Sequence, residues 1–200
     1  CVINPTVGRE KEMVITPAAK PKRVLVVGGG PGGLEAARVA ALRGHQVTLY
    51  EKESKLGGQL NLAAVPPMKQ ELSKWIIYLS VQVEKVGVRV ELNKEVTPGL
   101  IGKMKPDVVV VATGGECLIP PIPGVDGPKV IAGTAVLKGQ VAISRGKVLI
   151  IGGGMVGCEL ADMLADPGYN QTTGRTPVTI VEMLADIGLD IIPQTRMLLL

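Results

Sequence analysis

The stretch Val24–Ala37, VLVVGGGPGGLEAA, decides the fold. Val24–Val27 is a short β-branched run of the kind found in buried parallel strands. Three glycines at the spacing Gly28-x-Gly30-x-x-Gly33 follow it, and residues 34–43 carry a helical pattern that ends at Gly44. A second β-branched run at 47–50 completes a predicted βαβ unit.

Each glycine of this motif has a separate physical role in dinucleotide binding. Gly28 permits the tight turn, Gly30 lets the backbone approach a pyrophosphate, and Gly33 lets helix and strand pack closely. The helix that begins near Pro31, a residue predicted to lie at the cofactor, presents backbone N–H groups and a positive dipole end to the phosphates. Glu51 ends the next strand, 23 residues after Gly28, and can accept hydrogen bonds from ribose hydroxyls. Lys52, directly after it, is also predicted to bind the cofactor.

The pattern occurs a second time, about 124 positions later, over Val148–Ala161. Its glycines, and the two residues that open its helix, are predicted to hold a second dinucleotide: Gly152, Gly154, Met155, Val156 and Gly157. Glu182 ends the following strand, Val178–Val181, 30 residues after Gly152. A carboxylate there repels a 2′-phosphate and so favours NAD over NADP, although Arg175 in the preceding loop could offset the repulsion.

Composition excludes several other functions. Aromatic residues make up 2% of the chain and Phe is absent, which argues against a reader of single-stranded nucleic acid. The net charge of +4 comes from scattered basic residues, so we expect no nucleic-acid partner. The apolar runs are too short to span a membrane and the first ten residues do not resemble a signal peptide. We therefore expect no membrane partner and a cytoplasmic location.

Several other chemically distinctive residues are given structural interpretations. His45 is interpreted as a solvated turn residue, Trp75 as part of the core, and Cys158 as a small buried packing residue. Glu35 and Glu159 each follow a last motif glycine by two positions and are interpreted as charges at a helix start. The three cysteines, Cys1, Cys117 and Cys158, contain no Cys-x-x-Cys pair, and Cys117 is interpreted as inert.

Further stretches carry a resemblance to a family. These stretches are Leu56-Gly57-Gly58-Gln59-Leu60, the strand end Ala112-Thr113-Gly114, and Cys1–Pro5 with Gly8-Arg9-Glu10. Together with the two glycine motifs they resemble the NADH:flavin oxidoreductases of the old-yellow-enzyme type, a group that includes 2,4-dienoyl-CoA reductase and trimethylamine dehydrogenase. The resemblance covers essentially the whole chain.

The resemblance implies an α/β fold with a Rossmann-like, doubly wound parallel sheet, followed by the start of a second nucleotide-binding domain. It implies a tether over 1–21, an FAD-type domain over 22–118, a connector over 119–146 and an incomplete NAD-type domain over 147–200. FAD would lie near Gly58, Gln59, Ala112, Thr113 and Gly114, and NAD(H) would occupy the second site. We expect the chain to be a portion of a longer protein, which would also contain a barrel carrying FMN.

In that family Cys1 matches the last ligand of a [4Fe–4S] centre. Electrons would pass from NADH through FAD and this centre to FMN, where a small substrate held by the barrel, an activated alkene such as an enoyl thioester, would be reduced. No paired dithiol of the disulfide-reductase kind is present, and no residue of this chain is identified as catalytic. Two alternatives stay open: an amine-dehydrogenase-like protein with ADP in the first site and a carrier protein as electron acceptor, or a non-catalytic nucleotide-binding module. The oligomeric state also stays open, a homo-oligomer included.

Overall fold

The computed structural model describes residues 3–143, 146–166, 168, 176–189, 191 and 193. Its strands are β1 (Arg23–Val27), β2 (Gln46–Tyr50), β3 (Arg89–Glu91), β4 (Val108–Val111), β5 (Val148–Ile151) and β6 (Val178–Val181). Its helices are α1 (Pro31–Leu42), α2 (Leu60–Ala63), α3 (Glu71–Lys85), α4 (Pro98–Met104), α5 (Gly133–Leu137) and α6 (Met155–Ala165).

The chain divides into two compact units. The first comprises Cys1–Ala64 with Glu71–Glu116, and the second comprises Val65–Gln70 with Cys117–Leu200. The short segment Val65–Gln70 thus belongs with the second unit although it lies between two helices of the first. Nothing in the sequence indicated that this segment belongs to the second unit.

The first unit is built on a parallel four-stranded sheet in the order β3-β2-β1-β4. Val26 of β1 lies opposite Leu49 of β2 on one side and Val110 of β4 on the other. Successive strands are added on one side of β1 until β4 joins its opposite side, and such a reversal opens a crevice at the carboxyl ends of the strands. The predicted Rossmann-like α/β fold is confirmed.

Alternate residues of a strand point to the same face of the sheet, so their apolar side chains form one face that packs against α1 and α3. Val24 and Val26 of β1 and Leu49 of β2 are buried there. Leu34 of α1 and Val83 of α3 are completely buried against them. Trp75 packs at the margin of this core, as predicted.

The second unit repeats the arrangement on a smaller scale. β5 and β6 pair in parallel, with Val148 opposite Val178, and α6 connects them. Ile150 of β5 packs with Leu160, Met163 and Leu164 of α6 in a second core. α5 contributes Val136 to this core, so residues 119–146, interpreted from the sequence as a connector, contain a short helix.

Residues ahead of β1 form turns and extended chain, with no helix or strand between 3 and 21. They are attached to the first unit near the end of α1, where the Ala18 N–H donates to the Arg43 carbonyl at 2.8 Å. Within the described parts of the chain, no helix combines the length and hydropathy needed to cross a membrane.

Gly33, the last glycine of the first motif, offers a direct test of the close packing of α1 on the turn that follows β1. A Cβ at Gly33 would overlap the Gly28 carbonyl oxygen, whereas a Cβ at its neighbour Gly32 would have no atom within 4 Å. We expect Gly33→Ala to lower the free energy of unfolding by about 1–3 kcal/mol through overpacking. Gly32→Ala should instead be neutral or stabilising by up to about 1 kcal/mol, since alanine favours helix. Urea unfolding of both variants checks the prediction, and equal effects would contradict it.

Candidate nucleotide-binding sites

The first glycine turn connects β1 to α1 at the carboxyl end of the sheet. Gly28 has a φ of +107°, a conformation that larger residues rarely adopt. Its N–H donates to the Tyr50 carbonyl at 2.8 Å, and a Cβ at this position would overlap the Ala112 carbonyl oxygen. Gly33 lies directly against Gly28, as described above. The roles predicted for Gly28 and Gly33 therefore correspond to contacts in the fold.

The second turn repeats this backbone conformation, although a Cβ at Gly152 would have no atom within 4 Å. Gly152 has a φ of +103°, and its N–H donates to the Val181 carbonyl at 2.9 Å. A Cβ at Gly157 would overlap the Gly152 carbonyl oxygen. Two turns with little sequence in common apart from their glycines thus adopt the same conformation.

Each turn leads into a helix whose first N–H groups point out of the turn. Gly30 precedes α1 with φ −73° and Gly154 precedes α6 with φ −74°, both in extended conformation, and neither helix has a side-chain cap. Such N–H groups can donate to phosphate oxygens. α1 begins with Pro31, which has no N–H, whereas α6 begins with Met155 and Val156, so the second helix has one more donor in its first turn.

The motif predicts that a diphosphate comes closest at the glycine before each helix, and the structure shows the space at the first of them, Gly30. A Cβ at Gly30 would have its nearest neighbour, the Gly58 Cα, at 4.0 Å. The backbone here therefore leaves room on the side of Gly30 where a Cβ would lie, and the approach of a phosphate stays a prediction.

Glu51 lies at the carboxyl end of β2 and is only 6% exposed. Its Oε2 accepts a hydrogen bond from the Gly29 N–H at 2.6 Å, and its Oε1 accepts one from the Glu53 N–H at 2.8 Å. Each carboxylate oxygen has two lone pairs, so the group retains capacity for a ribose hydroxyl. Lys52, predicted beside it, is exposed.

Glu182 repeats the arrangement at the end of β6. Backbone N–H groups of Leu184 and Gly153 donate to its carboxylate at 2.9 and 2.6 Å. These donors, with that of Met183, hold the pKa of Glu182 below its usual value. These hydrogen bonds thus favour the charged carboxylate, which is the form that repels a 2′-phosphate.

The remaining residues predicted for the first site also meet at this edge of the sheet. Gly58 lies against Gly30, since a Cβ on Gly58 would be 3.0 Å from the Gly30 Cα. The side-chain amide of Gln59 donates to the Gly115 carbonyl, directly after Ala112-Thr113-Gly114. The Ala112 N–H donates to the Val27 carbonyl at 2.8 Å, which joins this strand end to the glycine turn.

The interpretation of Glu35 and Glu159 as charges at a helix start is wrong. Neither α1 nor α6 has an acidic residue in its first turn, because both glutamates lie one turn further along. Glu35 instead forms a two-hydrogen-bond ion pair with Arg38, at 2.8 and 2.7 Å. Arg38 lies 17% exposed, and its pKa is raised chiefly by the Glu35 hydrogen bond.

Glu159 is paired differently. Its side chain is 8% exposed and forms an ion pair with Lys69, which belongs to the Val65–Gln70 segment of the second unit. The position that corresponds to Arg38 in the second repeat is Asp162, which cannot neutralise a glutamate. Lys69 was not identified from the sequence, since 90 residues separate it from its partner.

The cysteines and the histidine that the structure describes differ in burial and in contacts. Cys158 is buried, as predicted, and its Sγ contacts the Gly153 carbonyl oxygen at 3.2 Å, while Cys117 is exposed. His45 is half-buried and its Nδ1 accepts a hydrogen bond from the Lys22 N–H at 3.1 Å, so it is less solvated than predicted. Cys1 and Arg175 lie outside the described residues, among which no cluster of metal-ligating side chains occurs.

Comparison with known proteins agrees with this duplicated geometry. The model of the family described as pyridine nucleotide-disulphide oxidoreductase matches residues 22–195. The chain belongs to this family. Its fold is the FAD/NAD(P)-binding fold, so the prediction of FAD and NAD(P) as the bound nucleotides is confirmed at the level of the family.

Three individual proteins are similar to most or all of this chain. Bilirubin reductase of Mediterraneibacter gnavus is 42% identical over 187 residues, which cover 94% of this chain and 28% of the relative. NADH oxidase of Thermoanaerobacter brockii is 42% identical over 98% of this chain and 30% of the relative. A structure of 2-naphthoyl-CoA reductase has a TM-score of 0.90 and 37% identity, over 100% of this chain and 29% of that one.

These relatives are old-yellow-enzyme-like reductases and oxidases, so the resemblance predicted from the sequence is confirmed. The chain spans less than a third of the length of each of these three relatives.

The Lys69–Glu159 pair has a measurable contribution to stability. Lys69→Met leaves a buried carboxylate without its charged partner, so we expect the free energy of unfolding to fall by about 1–3 kcal/mol. Adding Glu159→Gln should recover part of that loss, which a double-mutant cycle measures. Lys74→Met is a matched control, because Lys74 and Glu71 form an ion pair whose side chains are 75% and 77% exposed. Its effect should be below about 1 kcal/mol, and a loss as large as that of Lys69→Met would contradict the prediction.

Proposed function

We propose that this chain is the FAD- and NAD(H)-binding portion of a longer NADH:flavin oxidoreductase. The observation that carries the proposal is the repeated turn: in both units a glycine motif, an uncapped helix and an ionisable carboxylate are held in the same arrangement. The relatives with the names NADH oxidase, bilirubin reductase and 2-naphthoyl-CoA reductase support an oxidoreductase role.

The first site fits FAD. Glu51 is held at the carboxyl end of β2, where it would accept hydrogen bonds from the ribose, and the N–H groups of the first turn of α1 would donate to the diphosphate. Gly58, Gln59 and the strand end at Ala112–Gly114 form the neighbouring wall. The site therefore offers contacts beyond those of a bare glycine turn.

The second site fits NADH. Glu182 would accept hydrogen bonds from the 2′- and 3′-hydroxyls of the adenosine ribose, and its negative charge would disfavour NADPH. The N–H groups of Met155, Val156 and Gly157 would donate to the diphosphate. A nicotinamide and a flavin bound together supply hydride transfer, so the part of this chain is to bind and orient both nucleotides.

The other components of the proposed enzyme belong to the remainder of the longer protein. They are an FMN-carrying barrel and a [4Fe–4S] centre. We propose that the substrate, which would bind to the barrel, is an activated alkene of the enoyl-thioester kind. A cluster of that type needs about four thiolates, and this chain has three cysteines in all, so it does not hold such a centre by itself. Cys1 would contribute one ligand. We also propose a cytoplasmic location and a small molecule, with no nucleic acid, as the substrate partner.

Identification of the bound nucleotides tests the proposal. The full-length protein is purified and denatured, and the nucleotides released are separated by chromatography. FAD together with FMN, and bleaching of the flavin by NADH in stopped flow, are expected. ADP in place of FAD would overturn the proposal and favour the amine-dehydrogenase alternative, in which the Gly28–Gly33 site is structural. Tight nucleotide binding without NADH-dependent dye reduction would favour the non-catalytic module.

The charge of Glu182 predicts the preference between the two nicotinamide nucleotides. Glu182→Gln removes the charge at nearly constant shape, so we expect the ratio of kcat/KM for NADH to that for NADPH to fall about tenfold. Glu51→Gln makes the same change in the first site and is the matched control, which should leave this ratio unaltered. Steady-state kinetics of the full-length protein with both nucleotides measures it, and an unchanged ratio in Glu182→Gln would contradict the assignment of the second site.

A further inference from the structure

Two segments of the chain share a pattern that runs past the acidic residue of each motif. Glu51–Gly57 consists of a glutamate, four residues, Leu56 and a glycine, and Glu182–Gly188 consists of a glutamate, four residues, Ile187 and a glycine. We call them the closing segments. In both, the four intervening residues are exposed, the apolar residue is half-buried and the final glycine is buried.

Each closing segment hydrogen-bonds to both polar groups of the middle glycine of its turn. The Gly29 N–H donates to Glu51 at 2.6 Å, and the Gly29 carbonyl accepts from the Gly57 N–H at 2.8 Å. In the second unit the Gly153 N–H donates to Glu182 at 2.6 Å, and the Gly153 carbonyl accepts from the Gly188 N–H at 2.7 Å. The two ends of a closing segment therefore hold one glycine between them.

The apolar residue of each closing segment covers the same glycine. A Cβ at Gly29 would be 2.6 Å from the Leu56 Cδ2, and a Cβ at Gly153 would be 2.7 Å from the Ile187 Cγ2. The Gly-x-Gly-x-x-Gly fingerprint leaves the middle position free, yet both motifs have glycine there. Leu56 and Ile187 occupy the space that a side chain would need, which explains why Gly29 and Gly153, in the middle of each run, are glycines.

We infer that Leu56 and Ile187 are positioning residues, one for each nucleotide site. Each packs on the middle glycine and so fixes the peptide whose N–H aims the carboxylate of Glu51 or Glu182. Truncation of either side chain would leave a gap beside that peptide and loosen the carboxylate that receives the ribose. This inference rests on the proposed function, and it assigns each closing segment to its own nucleotide.

The test uses the full-length protein and compares Leu56→Ala and Ile187→Ala. Ile187→Ala is expected to raise the KM for NADH about tenfold at unchanged kcat, with the FAD content preserved and with Ile187→Val close to the unmodified protein. Leu56→Ala is expected to lose FAD on gel filtration, measured by flavin absorbance per protein. Added FAD should restore its kcat, with the KM for NADH unchanged.

Matched controls separate positioning from general destabilisation. Ile143 and Leu100 are half-buried apolar residues of the second and first units that lie outside the closing segments. Ile143→Ala and Leu100→Ala should lower the melting temperature without changing the KM for NADH or the FAD content.

Two results would overturn the inference while leaving the proposed function intact. One is a KM for NADH in Ile187→Ala no higher than in Ile143→Ala. The other is an equal effect of each closing-segment variant on both nucleotides. An unmodified protein that neither contains FAD nor oxidises NADH would overturn the proposed function itself, and this inference with it.

Discussion

Contact between the first and last glycines of each turn fixes the geometry on which both nucleotide sites depend. The Gly28 carbonyl oxygen occupies the place that a Cβ at Gly33 would take, and the Gly152 carbonyl oxygen does the same at Gly157. Because of this contact, α1 and α6 begin after only three residues beyond β1 and β5, and their first N–H groups lie near the carboxyl end of the preceding strand. The position of the acidic residue follows from it, since β2 and β6 pair with the same strands that carry the turns.

The carboxylates have a structural role as well as a proposed binding role. Glu51 and Glu182 each accept a hydrogen bond from the backbone of the turn, so the fold itself orients the proposed ribose acceptor. An oriented acceptor loses less conformational freedom when a ligand binds than a mobile side chain does. The same bonds lower the pKa of Glu182 and so favour its charged form, which links the shape of the second turn to its proposed selectivity.

Strands and long helices were predictable from the sequence, because β-branched runs and helical periodicity are local signals. The predicted starts of the strands at Val24 and Val47 lie within one residue of those in the structure, and the strand Val178–Val181 has the predicted bounds. The helices α2, α4 and α5 were not predicted, since four, seven and five residues are too few to show a clear period. The glycine motifs gave the location of both sites. The pairing of Lys69 with Glu159 left no local signal, and the reason for Gly29 and Gly153 appeared only once Leu56 and Ile187 were placed above them.

The two repeats differ in how they neutralise the glutamate that follows the last glycine by two. In α1 the partner, Arg38, lies one turn along the same helix, so the pair forms within a single element. In α6 that position is Asp162, and the partner Lys69 comes from a segment that leaves the first unit between α2 and α3. A buried carboxylate needs a partner of opposite charge, because desolvation penalises its ionised form. Loss of the local arginine in the second repeat is therefore compatible with a buried glutamate only if the chain supplies a cation from elsewhere. The Val65–Gln70 segment meets this requirement, which gives a physical reason for its membership of the second unit.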